Sequence, residues 1–128
     1  MAKEEEKPLS FCTIATKECM NELRGLIYGL KTYHSGASLF ICCDHEINSM
    51  VCDDYKQSGL NIKTFDLLNR FSGKGRMRLE REGVFTEFIR HKMLMMLICL
   101  GEFSDCMYID SDVILVSEIN VDKKNNLM

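Results

Sequence analysis

An uninterrupted apolar run, from Leu39 to Cys43, constrains the fold more than any other feature of this sequence. Strands with one solvated face alternate apolar and polar residues, whereas a continuous apolar run is typical of a parallel strand covered on both faces. The segment before it, from about Lys17 to Tyr33, repeats apolar residues at helical spacing and ends at Ser35-Gly36. The sequence therefore predicts an α/β fold built on a parallel sheet.

Further apolar segments and helical patterns extend this order along the chain. We predict strands over residues 9–15, 39–43, 60–65 and 106–109, with 113–116 continuing the last strand, and helices over 17–33, 47–56 and 84–100. Strands that alternate with helices require right-handed crossovers and a parallel sheet with helices on both faces. The predicted sheet order is 3-2-1-4, a Rossmann-like arrangement in which ligands lie at the carboxyl ends of the strands.

The remaining segments have no clear period. Residues 66–83 contain Ser72-Gly73-Lys74-Gly75 and are predicted to form an exposed, mobile loop. The chain has 128 residues, of which 46% are hydrophobic, and this is enough for one core but not for two. We predict a single domain over residues 9–119, a disordered N-terminal tail over 1–8 and a polar C-terminal tail over 120–128.

Charge and cysteine usage narrow the class of protein. The net charge is −3 and the charges of both signs are intermixed, so no nucleic-acid partner is expected. The apolar segments are too short to span a membrane. The seven cysteines lie mostly in apolar runs, without a Cys-x-x-Cys pair or a preceding signal peptide. We therefore expect a reduced, cytoplasmic protein without a zinc site.

The tripeptide Asp110-Ser111-Asp112, called here the DxD tripeptide, directly follows the apolar residues Tyr108 and Ile109 and precedes a second apolar run. An Asp-x-Asp pattern alone is common by chance. Its position is more informative, because two carboxylates between apolar segments cannot both be buried without partners. Two interpretations remain: a turn at the end of a strand with two solvated aspartates, or a carboxylate pair that faces a divalent cation.

Lys92 occupies an unexpected position in the predicted helix 84–100. On a helical wheel it falls at the centre of an apolar stripe with Ile89 and Met96, whereas Arg90 and His91 fall on the polar side. A lysine in that phase either extends its ammonium group into solvent or contacts an anion. Because one short turn separates this helix from the DxD tripeptide, a diphosphate between the lysine and a metal ion would account for both features.

Glycine-rich phosphate loops are missing from this sequence. No glycine follows the first strand until Gly25, so the dinucleotide-binding fingerprint is absent, and the loop around Lys74 lacks P-loop spacing. Lys74, Arg76 and Arg78 either close over phosphates or face solvent. Asp44, directly after the second strand, is either an acceptor for a base or ribose or the N-cap of the next helix.

Three segments, taken in order, resemble the nucleotide-sugar-binding half of a GT-A glycosyltransferase. They are FCTIAT at residues 11–16, FIRHK at 88–92 and MYIDSDVIL at 107–115. The passage from Phe85 to Leu115 is the most specific part, and the match in order and spacing covers most of residues 9–119. The resemblance implies a GT-A fold and a metal-dependent transferase that takes a sugar from a UDP- or GDP-linked donor.

The resemblance also implies roles for individual residues. Asp112 would bind Mn2+ or Mg2+ directly, and Asp110 would contact the ribose or reach the metal through water. Lys92 would face the diphosphate, and the metal would neutralise charge on the leaving nucleoside diphosphate. The other residues of the implied nucleotide-sugar site are Thr13, Ala15, Thr16 and Ser111 near the nucleotide and Asp44 at the base.

Family members continue past the DxD strand with an acceptor-binding half, whereas only residues 117–128 follow here. We therefore expect a domain truncated relative to the family, and no catalytic base or nucleophile is identified. One alternative is a truncated or degenerate module without turnover, which binds nucleotide or assembles with a partner or with itself through an open flank of the sheet. Another is a haloacid-dehalogenase-type phosphatase, which motif order opposes: that motif opens its domain and has Thr where this chain has Ile114.

Overall fold

The computed structural model describes residues 8–120, so the predicted tails at 1–8 and 120–128 fall, apart from one residue each, outside the described residues. The strands and α-helices of this range are β1 (Ser10–Ala15), α1 (Met20–Tyr33), β2 (Ser38–Cys43), α2 (His45–Asp54), β3 (Asn61–Asp66), α3 (Arg76–Arg81), α4 (Phe85–Glu102) and β4 (Met107–Tyr108). Short 3-10 turns occur at Lys17–Cys19 and Asn69–Phe71.

All four strands of this region run parallel in the order β3-β2-β1-β4. This confirms the predicted α/β class and the predicted sheet order. The two central strands, β1 and β2, are buried at every residue, as their apolar sequences predict. β3 forms one edge of the sheet and is partly exposed along its length.

Helices cover both faces of the sheet and divide the core into two layers. On one face, Phe11 and Ile41 of the central strands pack with Leu26 of α1 and with apolar residues of α2. On the other face, Phe40 packs with Met95 of α4. The alternation of side chains along each strand explains the division, since successive residues point to opposite faces.

The prediction of an exposed loop over residues 66–83 is wrong. The segment contains the 3-10 turn Asn69–Phe71 and the helix α3, and three of its apolar side chains are buried against the α4 face of the sheet: Leu68, Phe71 and Leu79. Their irregular spacing matches neither a helical nor a strand period, which is why the sequence pattern missed them.

The predicted continuation of the last strand over residues 113–116 is also wrong. β4 ends at Tyr108, and the Val113 amide donates to the Asp110 carbonyl oxygen at 3.1 Å, which closes a turn. Beyond the turn the chain leaves the sheet, and Leu115 packs against the α1 side of the core while Ile114 remains 77% exposed. Residues 113–116 are all apolar, and their burial alternates because the segment packs on one side only.

Within residues 8–120, none of the helices combines the length and the apolar character that crossing a bilayer requires.

Candidate functional site

The carboxyl ends of three parallel strands bring the predicted site residues to one edge of the sheet. β1 leads into Thr16 and the 3-10 turn Lys17–Cys19, β2 leads into Asp44, and β4 leads into the DxD tripeptide. In parallel sheets this edge is where ligands bind. The chain topology therefore places these segments as the sequence predicts.

The DxD tripeptide lies in a turn from Asp110 to Val113, called here the DxD turn. Ile109 is buried just before it, and its amide donates to the Cys12 carbonyl oxygen at 3.0 Å, which keeps the start of the turn against β1. The side chains of Asp110 and Asp112 are exposed, so neither carboxylate carries the cost of burial without a partner. This geometry is compatible both with two solvated aspartates and with a pair that receives a cation.

Lys92 contacts the DxD turn directly. Its Nζ lies 3.3 Å from Asp110 Oδ1 and 5.2 Å from the centroid of the Tyr108 ring. The side chain thus meets an anion, one of the two outcomes expected for a lysine in the apolar phase of a helix, and the anion is the Asp110 carboxylate. The pair is partly solvated, with the Lys92 side chain 35% and the Asp110 side chain 58% exposed.

Tyr108 connects this ion pair to the end of β1. Burial raises the pKa of the Tyr108 hydroxyl well above its usual range, and the negative charge of Asp110 raises it further. The hydroxyl also lies near Thr13, whose Oγ1 is buried without a partner in hydrogen-bond geometry among the described residues. The phenol is therefore neutral at physiological pH and available only as a donor or acceptor of hydrogen bonds.

The predicted nucleotide-lining residues of β1 lie beneath the surface. Thr13, Ala15 and Thr16 are each at most 3% exposed. Their side chains pack between the sheet and its helices, and they present almost no surface to a ligand. The exposed part of the candidate site is therefore formed by the DxD turn and Lys92.

Asp44 is the N-cap of α2, which confirms one of its two interpretations. The carboxylate is fully buried and accepts hydrogen bonds from the amide of Ile47 at 3.0 Å, the amide of Lys17 at 2.8 Å and the Ser72 hydroxyl at 2.6 Å. Both oxygens are occupied, so a base or ribose could reach this carboxylate only by displacing Ser72. Ser72 was missed in the sequence because no local pattern links residues 28 positions apart.

Cys19 is a second neighbour of the DxD turn that the sequence did not indicate. Burial raises the pKa of its thiol, contact with the Ser111 hydroxyl lowers it, and the nearby carboxylates of Glu22 and Asp112 add to the rise. The Ser111 side chain is buried against this thiol while the aspartates on either side face solvent. Ser111 thus packs the turn against the start of α1 rather than facing a ligand.

The three basic residues that were considered for phosphate binding pair with acids of their own segment. Lys74 and Arg78 both contact Glu82 at 2.8 Å, and Arg76 contacts Glu80 at 3.0 Å. Each of these basic groups thus has an acidic partner in its own segment. Lys92, by contrast, contacts the DxD turn.

The carboxylates of the DxD turn fit one type of metal site. No cluster of three or more His, Cys, Asp or Glu side chains able to hold a metal ion occurs in residues 8–120. Mg2+ and, by its preference for the same oxygen ligands, Mn2+ bind through one or two carboxylates together with water and substrate phosphates, without a complete protein cage. Asp110 and Asp112 are suited to such a site.

The chain matches no known protein-family model, and no curated protein is significantly similar to it.

Proposed function

We propose that this chain is a metal-dependent glycosyltransferase domain of the GT-A type, which binds a nucleotide-diphosphate sugar and, once an acceptor site is supplied, transfers the sugar. One observation carries the proposal: the exposed carboxylates of Asp110 and Asp112 lie in one turn at the carboxyl edge of an all-parallel sheet, and the Lys92 ammonium group contacts the first of them. A metal–diphosphate complex contains a divalent cation and an anionic diphosphate, so its binding site needs acidic and basic groups next to each other.

Each group has a distinct part in donor binding. Asp112 and Asp110 would hold Mn2+ or Mg2+, which as a Lewis acid stabilises the negative charge that develops on the leaving diphosphate. Lys92 would exchange its contact with Asp110 for a diphosphate oxygen. This exchange costs little, since exposed ion pairs contribute about 0.2–1 kcal/mol. Releasing Asp110 from Lys92 would at the same time free a carboxylate oxygen for the cation.

Residues 8–120 contain groups that would bind the donor but none that we assign to turnover. No side chain in residues 8–120 stands out as a general base positioned for an acceptor hydroxyl, and the acceptor-binding half of the family has no counterpart in this range. The sugar and the stereochemical course of transfer would depend on that half.

Calorimetry with UDP and GDP, each with Mn2+ or with excess chelator, tests the proposal. We expect binding that depends on the metal, and a loss of at least about tenfold in affinity for Asp112→Asn, which removes the charge at nearly constant shape. Asp53→Asn makes the same change at an exposed position of α2 and should bind normally. Lys92→Met should weaken nucleotide binding without abolishing binding of the metal. Equal affinity in chelator, or an unaffected Asp112→Asn, would rule the proposal out.

A module without turnover is the second candidate, and the surface of α4 favours it. Met93 and Leu97, one helical turn apart, are each 63% exposed, and Leu100 follows in the same phase at 47%. Apolar side chains that line one helix face and stay in solvent often mark a contact with another protein. Stable self-association without any nucleotide affinity would support this candidate against the transferase.

A further inference from the structure

Three thiols converge beneath the sheet, on the α4 face and away from the exposed carboxylates. Cys12 comes from the middle of β1, Cys99 from the last turn of α4 and Cys106 from the residue before β4. The Sγ atoms of Cys12 and Cys106 are 3.4 Å apart, and the Cys99 thiol also interacts with that of Cys106. All three cysteines are free thiols.

The thiols of Cys12 and Cys106 differ in access to solvent. Cys12 is fully buried, whereas Cys106 is only half buried and follows the exposed residues Ser104 and Asp105. Residues 103–106 lie between α4 and β4 and have no regular secondary structure. This segment can therefore shift more easily than β1, which is paired on both sides.

We propose that Cys106 is a site of thiol oxidation and that Cys12 is its resolving partner, so that a small disulfide oxidant such as glutathione disulfide converts the pair into an intramolecular disulfide. A disulfide holds its sulfurs about 2.05 Å apart. The two sulfurs must therefore approach by roughly 1.4 Å, which a small movement of residues 103–106 can supply.

The reaction follows ordinary thiol–disulfide exchange. The thiolate of Cys106 attacks one sulfur of the oxidant, forming a mixed disulfide and releasing one thiolate. The thiolate of Cys12 then attacks the Cys106 sulfur and displaces the second small thiolate. The two cysteines lose two electrons, the oxidant gains them, and the two cysteine protons end on the released thiols.

The bridge would fasten the start of β4 to the centre of β1. Cys12 pairs with Tyr108 in the sheet, and the DxD turn begins two residues after Tyr108. Oxidation would thus restrain the strand that carries the turn. The inference concerns the thiols alone and does not depend on the proposed transferase function.

The raised pKa values of the two thiols make the reaction slow, so the oxidation must be prolonged. Burial raises the pKa of both Cys12 and Cys106 to about 11, so little thiolate is present at neutral pH. The exposed Cys52 meets the oxidant first and forms a mixed disulfide or a disulfide to a second chain. Cys52→Ser is therefore the matched control.

The test is to incubate the folded chain with glutathione disulfide, alkylate the remaining thiols and map the peptides by mass spectrometry without reduction. We expect a peptide pair linked through Cys12 and Cys106, about 2 Da lighter than the two free peptides together and restored by dithiothreitol. The link should persist in Cys52→Ser and disappear in Cys106→Ser.

Two outcomes would overturn the proposal. One is a wild-type chain that stays folded by circular dichroism and acquires only mixed disulfides after prolonged oxidation. The other is a link between Cys99 and Cys106, which would make Cys99 the resolving partner. Because the wild-type chain alone decides between these results, a variant that fails to fold does not affect the test.

Discussion

Gly29 and Gly25 offer a sharp test of how the segment after the DxD turn is held. Gly29 is buried on α1, and a methyl group added there would lie 3.0 Å from Cβ of Leu115 and 3.5 Å from its backbone nitrogen. Gly25 lies one turn earlier in the same helix, is exposed, and has nothing within 4 Å of the corresponding position. The two glycines share a helix and differ in burial and in the contact with Leu115.

The expected free energies follow from this difference. In a helix, replacing Gly with Ala stabilises by about 0.8–1 kcal/mol, so Gly25→Ala should raise the free energy of unfolding by that amount. Gly29→Ala has the same helical gain, but Leu115, whose Cβ would lie 3.0 Å from the new methyl group, must shift by a few tenths of an ångström, and overpacking that is not relieved costs about 1–3 kcal/mol. We expect Gly29→Ala to be neutral or destabilising, with a difference of about 1–3 kcal/mol between the two variants.

Urea denaturation followed by far-ultraviolet circular dichroism measures this difference, since the chain has no tryptophan for fluorescence. In melting temperature, each kcal/mol corresponds to roughly 3–6 °C for a domain of this size. If Gly29→Ala stabilised the chain as much as Gly25→Ala, Leu115 would not be seated on α1. Residues 113–119 would then not pack on α1, and they would not hold the DxD turn near this helix.

Two further predictions concern buried groups. Asp44→Ala should lower the free energy of unfolding by about 2–4 kcal/mol, since it removes an N-cap and leaves the amide of Lys17 and the hydroxyl of Ser72 without their acceptor. In urea denaturation, a loss no larger than that of the exposed Asp53→Ala would contradict this prediction. Burial raises the pKa of Cys42 from 9.0 to about 12, so the folded chain keeps a proton that the unfolded chain releases. This contribution is fully present below pH 9.0 and is lost as the pH rises towards 12. Cys42→Ala should therefore show a shallower fall in stability between about pH 8 and about pH 10.5, and equal slopes would refute the assignment.

The central strands of the fold were predictable because strands that are buried on both faces have nearly continuous apolar sequences. β1 and β2 are mostly apolar and are buried at every residue, as the middle of a covered parallel sheet requires. The edges were less predictable. β4 forms only two residues of ladder, and the apolar run after it resembles a strand although the chain has already left the sheet. A short apolar run indicates burial but not the neighbour, which for Leu115 is a helix rather than a strand.

The sequence pattern could not predict contacts between residues that lie far apart along the chain. The sequence predicted that Lys92 faces a diphosphate bound at the DxD tripeptide, whereas the structure places Lys92 Nζ 3.3 Å from Asp110 Oδ1 itself. That the lysine pairs with the motif itself depends on how α4 packs on β1, which the sequence does not reveal. The bond from Ser72 to Asp44 lies in the segment that was predicted to be a loop, so its structural role was invisible.

The DxD turn of the candidate site is therefore exposed to solvent, whereas Asp44 is fully buried. At the DxD turn, a ligand has only to replace an exposed ion pair, which is worth about 0.2–1 kcal/mol. At Asp44 it would have to displace a buried hydrogen bond to a charged carboxylate, worth about 1.5–3 kcal/mol, and then satisfy the Ser72 hydroxyl elsewhere. If the chain binds a metal–diphosphate as proposed, the phosphates rather than the base should provide most of the affinity. Base recognition would then require the segment around Ser72 to move.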